Sequence, residues 1–169
     1  MRPNESEVSE HQSISGSGDE HAGFHSPEDA AMNGFSAGNC RVVASRVEGD
    51  DAYVLLNTGS DAQPYLYGAN CRRRDGVWFE SGSSNGPGWA QVDQAPDIGT
   101  LSFWDDAPAG VSRVRVEFDG AVVEEVVRDR AFLVVWWRRP PPTTWPQVIE
   151  VEMGGRWVPT DGTTRGHLF

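Results

Sequence analysis

From residue 41 onward the apolar side chains recur at every second position in short runs, and no stretch of useful length keeps a helical period. That pattern restricts the chain to a fold made of strands. The clearest run is 111–118, VSRVRVEF, where Val114, Val116 and Phe118 share one face and Arg113, Arg115 and Glu117 the other. Asp119 and Gly120 follow as a two-residue turn, since both tolerate positive φ, and 121–127 returns as the second arm. The alternation breaks at VVEEVV, so a bulge near Glu124 and Glu125 is expected in an edge-proximal strand.

Further strands are expected at 41–48, 51–57, 63–68, 76–80, 99–104, 147–153 and 156–158. Gly49 with Asp50, and Gly154 with Gly155, read as hairpin turns. The run 131–137, AFLVVWW, is apolar throughout, which predicts a strand covered on both faces at the centre of a sheet. Two segments read as loops: 81–89 (SGSSNGPGW) and 138–146 (RRPPPTTWP). Three consecutive prolines stiffen the second into an extended strap crossing from one sheet to another. A length of 169 residues has room for one domain. The expected fold is therefore an all-β antiparallel β-sandwich, immunoglobulin-like, over residues 38–169.

Residues 1–37 are different. They hold seven acids, one Arg and three His among repeated Ser and Gly, which predicts a disordered, flexible acidic tail. Within it, Ser26 as N-cap, Pro27, the acids Glu28 and Asp29, and Gly34 as C-cap predict a short helix at 26–33. So short a helix forms only where Met32 and Phe35 find a surface. Docking on the body, binding to a partner, and disorder are its three possible fates. The strands do not need the tail for pairing, so deleting 1–37 is expected to leave the body folded.

All 14 basic residues are Arg, set against 25 acids, for a net charge of -11. Such a surface repels phosphate backbones and anionic head groups, which argues against nucleic-acid and membrane partners. No apolar run is long enough to span a bilayer, and the N-terminal stretch has no apolar segment of a secretory signal. A cytoplasmic location is expected. In that compartment Cys40 and Cys71 are expected as reduced thiols, with a disulfide as the alternative. Thiol catalysis is not expected, because His11, His21 and His25 lie in the tail and His167 near the end.

The strings PYLYGANC, NGPGW, GTLSFWDDAP, VRVEFDG and FLVVWW, in this order, resemble those of small all-β proteins of high-GC bacteria to which no activity is attached. The resemblance covers most of the body and none of the tail. It implies a compact β body and transfers no catalytic residue, because its motifs are packing and turn motifs.

Seven Trp are the most unusual feature of the composition. Trp78, Trp104 and one of Trp136 and Trp137 are expected in the core, the other of that pair pointing to the opposite face. Trp89 and Trp145, in the two predicted loops, are candidates for an exposed ligand platform against which a sugar ring lies flat. Arg72, Arg73 and Arg74 follow Cys71 and precede the turn at Asp75 and Gly76, which reads as an exposed hairpin end. Arg72 and Arg74 are candidate anion-gripping side chains, although pairing with the surrounding excess acid is the ordinary explanation and the favoured one. Asp105 with Asp106, and Glu48 with Asp50 and Asp51, are acidic clusters poorly placed for glycosidase work, since neighbours on a strand diverge. Solvated turn acids are commoner than a Ca²⁺ site. His21 and His25 lack a third ligand for a metal. No catalytic residue, metal or cofactor is expected. The expected function is a non-catalytic protein-interaction module, the alternative a carbohydrate or small-ligand binding module using exposed Trp.

Overall fold

The computed structural model describes residues 23–36, 38–60 and 62–161. The tail up to residue 22, with His11 and His21, and also His167, lie outside the described residues. Among the described residues one helix, α1 (Pro27–Met32), precedes eleven strands. They are β1 (Arg41–Glu48), β2 (Asp51–Asn57), β3 (Leu66–Arg74), β4 (Val77–Asn85), β5 (Gly88–Ala95), β6 (Ile98–Asp106), β7 (Val111–Phe118), β8 (Ala121–Val126), β9 (Ala131–Arg139), β10 (Gln147–Met153) and β11 (Arg156–Pro159). The protein is all-β, and every strand pairing among the described residues is antiparallel.

Three sheets form. The first is the meander β1-β2-β3-β4, the second has the order β5-β6-β9, and the third has the order β11-β10-β7-β8. Side-chain alternation in the second sheet places it between the other two. Leu101, Phe103, Phe132, Val134 and Trp136 pack with Val114, Val116, Phe118 and Val148 of the third sheet. The intervening residues Trp104, Ala131 and Leu133 pack with Tyr53, Leu55 and Leu66 of the first. A sheet with two apolar faces needs a layer on each.

Strand β9 is buried on both faces, as its run of apolar residues predicts, but it does not sit at the centre of a sheet. It is a terminal strand whose open edge is flanked by β1 and β8. Arg46 of β1 and Glu125 of β8 join across that edge at 2.9 Å. Burial by other layers, which sequence pattern cannot tell from burial by sheet neighbours, produced the apolar run. The expected bulge in β8 is absent too: β7 and β8 pair without a register shift from Arg113↔Val126 to Phe118↔Ala121. Alternation survives because Glu125 faces inward beside Val123 and is neutralised there by Arg46. An inward charge on a terminal strand also discourages edge pairing.

Segment 81–89 is not a loop. Ser81–Asn85 continue β4 along β3, Gly86 and Pro87 turn, and Trp89 already pairs with Phe103 in β5. A ladder needs backbone groups rather than apolar side chains, so Ser, Gly and Asn enter it once β3 offers a template. The Trp104 indole holds the turn by donating to the Gly86 carbonyl at 2.6 Å. The proline strap does cross from the second sheet to the third, although Arg138 and Arg139 belong to β9.

Helix α1 is docked on the outer face of the first sheet. The Ser26 hydroxyl caps it by accepting from the Asp29 amide at 3.1 Å, with Pro27 in the first turn. Ala30 and Ala31 are buried in a cluster with Ala52, Val54, Leu56, Ala69, Cys71 and Trp78. Phe24 exchanges two backbone hydrogen bonds with Trp78, at 2.9 and 2.8 Å, and Phe35 meets Tyr67 edge-on at 5.0 Å. Gly23 lies so close to Val77 that a Cβ there would overlap its side chain. A tail boundary at residue 37 therefore falls after a segment that packs on the body.

Candidate functional site

The candidate residues do not form one site. Trp89 and Trp145 come together, Arg72 lies elsewhere, and Arg74 ends β3 with its side chain exposed. Trp89 projects from β5, the terminal strand of the middle sheet, on the face that Phe103 shares. Trp145 reaches it from the strap between β9 and β10. Their rings stack with centroids 4.1 Å apart and an interplanar angle of 28°. They remain 47% and 51% exposed, so each gives roughly one face to the other and one to solvent. The strap is held in place by Thr144, whose hydroxyl donates to Asp119 at 3.0 Å. At its start Arg139 lies over the Phe118 ring and 3.6 Å from Asp119. These contacts hold the strap where Trp145 meets Trp89.

Trp78, Trp104 and Trp136 are buried, and Trp137 points the opposite way from Trp136, as strand alternation requires. Trp157 lies on the outer face of the third sheet under Arg113 and Arg115, whose guanidinium carbons stand 5.2 and 4.1 Å from its ring. The arginine run behaves as a strand end paired with acid: Arg72 meets Asp51 at 2.9 Å and Arg73 meets Asp50 at 2.8 Å. Glu48 faces Arg138 at 3.7 Å. The second acidic cluster is thus spread over three arginines. No group of three or more His, Cys, Asp or Glu able to hold a metal occurs among the described residues.

Asp105 is the exception. It is 2% exposed, and burial, reinforced by the neighbouring Asp106 carboxylate, pushes its pKa up to about 7. Its Oδ1 accepts from the Asp106 amide at 2.9 Å. A carboxyl so enclosed holds a proton but cannot reach a substrate. Cys40 and Cys71 are free thiols in the cluster under α1. Burial pushes Cys71 up to about 12, and its Sγ donates to the Pro27 carbonyl at 3.4 Å. A thiol held protonated is no nucleophile at neutral pH.

Sequence reasoning missed a recess between the first and middle sheets, with a volume of about 150 Å³. Asp51 and Arg72 line it together with Asn70, Thr100 and Trp137. The rule that Trp136 and Trp137 diverge was the only sign of it, because the other lining residues come from strands whose stacking no local pattern encodes.

No family model, curated protein or solved structure matches this chain. No helix among the described residues is long and apolar enough to cross a membrane.

Proposed function

We propose that this protein is a non-catalytic interaction module that receives an extended segment of a protein partner along the free edge of β5. The observation that carries the reading is the half-exposed, stacked pair of Trp89 and Trp145 beside that edge. A terminal strand offers a row of backbone donors and acceptors, and a partner strand adds there by pairing with them. Two rigid indoles provide the anchor that such a contact needs at its centre. Trp89 and Trp145 spend one face on each other, so they make a ridge rather than the flat platform that a sugar wants, which favours a protein partner over a glycan at this place. The net charge of -11 supports the exclusion of nucleic acid and anionic membranes, and a cytoplasmic setting is part of the same reading.

For the architecture, we read β5–β11 as an immunoglobulin-like sandwich traced backwards. The orders β11-β10-β7-β8 and β5-β6-β9 reproduce the neighbour pattern ABED and GFC with the chain direction reversed, and β1–β4 add a further layer.

A displayed library of random peptides, selected on the full chain, tests the function. Enrichment of extended, β-forming sequences is expected, with affinity roughly thirtyfold weaker on Trp89→Ala and thermal midpoints little changed. Peptides that bind Trp89→Ala and Trp145→Ala as tightly as the original chain would remove the reading.

A further inference from the structure

The recess between the first and middle sheets lies on the opposite face of the middle sheet from the Trp89 ridge. Thr100, which lines it, pairs with Val92 on the face that turns toward the first sheet, whereas Trp89 pairs with Phe103 on the other. Its chemistry is mixed. Trp137 supplies an indole wall, half-buried. At the more exposed side, Arg72 donates through Nε to Asp51 Oδ1 at 2.9 Å, which leaves the terminal guanidinium nitrogens as further donors. The Ser81 hydroxyl donates to the Asn70 carbonyl at 3.2 Å and keeps its lone pairs. Thr100 is 4% exposed, and its hydroxyl has no hydrogen-bond partner among the described residues. A buried hydroxyl without a partner is costly and points to an occupant that supplies one.

We infer that this recess binds a neutral polyhydroxylated ring, a single pyranose unit. The C–H face of such a ring stacks on an indole. Its hydroxyls both donate and accept, which suits a carboxylate, a guanidinium, an amide and two hydroxyls placed around one space. The Asp51 and Arg72 charges cancel, so a net charge on the ligand gains nothing from them, and an anion is further opposed by the overall charge of -11. A volume of about 150 Å³ is below the usual range for ligand sites, which limits the occupant to one ring. The inference does not depend on the peptide-edge reading.

The test uses the full chain labelled with ¹⁵N, titrated with free hexoses and their methyl glycosides while the indole N–H resonances are followed. A saturable shift of the Trp137 resonance is expected, with those of Trp89 and Trp145 unmoved. Binding of free hexoses only indicates a free sugar, and equal binding of methyl glycosides indicates the end of a glycan; either satisfies the inference. Trp137→Leu is expected to weaken binding up to about tenfold, and Thr100→Val to weaken it without altering the indole wall. Val92→Phe, which narrows the recess while leaving its polar groups in place, is expected to abolish binding with the circular dichroism spectrum preserved. No shift at the solubility limit of the sugars, shifts confined to Trp89 and Trp145, preference for acidic sugars, or binding unchanged in Val92→Phe would overturn it.

Discussion

The two outer sheets of this molecule solve the same problem in opposite ways. On the outward face of the first sheet, β2 presents Ala52, Val54 and Leu56, and β3 presents Ala69 and Cys71, a surface that water cannot cover cheaply. Helix α1 and the flanking Phe24 and Phe35 close it. On the outward face of the third sheet, Arg113 and Arg115 lie between Glu124, Glu150 and Glu152, with nitrogen to oxygen distances of 2.7 to 3.1 Å. That face needs no further layer. Whether a sheet in this chain requires a cover is thus set by the residues between its inward ones: polar in β7, apolar in β2.

The largest expected effect comes from deleting residues 1–36. If the helix is the cover that the first sheet needs, the deletion costs on the order of 4 kcal/mol, the sum of several lost apolar burials less the chain entropy regained. This reverses what the strand pattern alone suggests, and an unchanged urea midpoint would erase the contrast between the two faces. Ala31→Asp asks the same of one contact. Ala31 is fully buried, so a carboxylate there is expected to cost about 3 kcal/mol; a cost near zero would mean that the helix lifts away without penalty.

Buried Asp105 sharpens the comparison by showing a charge treated as neither face treats one. Its pKa is raised from 3.8 to about 7, so the folded chain holds the proton more tightly than the unfolded chain. Its contribution to stability is full below about 3.8 and is lost as the pH rises through about 7. Asp105→Asn is expected to flatten that part of the profile and to add on the order of 2 kcal/mol at pH 8. A profile with the same slope in the variant would move the effect to another group.

The smallest effect is expected on the third sheet. The Glu152 carboxyl is lowered to about 2 by hydrogen bonds from Arg113 and Ser112, so its contribution is present above pH 4.5 and is lost as the pH falls through about 2. Exposed pairs of this kind contribute little, and Arg113→Gln is expected to shift the thermal midpoint slightly at low salt and less at high salt. A large, salt-independent loss would show that this face is as demanding as the other.

What was legible follows from the length scale of each signal. The hairpin 111–126 could be read directly, because alternation and the Asp119–Gly120 turn are local. The same holds for Ser26 and Pro27 at the helix start, and for the divergence of Trp136 and Trp137. The β4 extension through Ser81–Asn85 was hidden, because its ladder depends on a template strand rather than on its own side chains. Of the candidate ligand residues, Trp89 and Trp145 were recognisable as exposed aromatics, but their stacking depends on where the strap lands. Arg72 was visible only as one of three arginines.

By itself the sequence determined most of the strands, where most chain reversals fall, and which of those strands carry one apolar face or two, since period and turn chemistry act within a few residues. Only the tertiary structure decided that three sheets stack, that α1 covers the outermost of them, and that Trp137 joins Arg72 around one recess. Those are choices of which apolar face meets which, and nonlocal burial rewards the total area hidden without naming the partner.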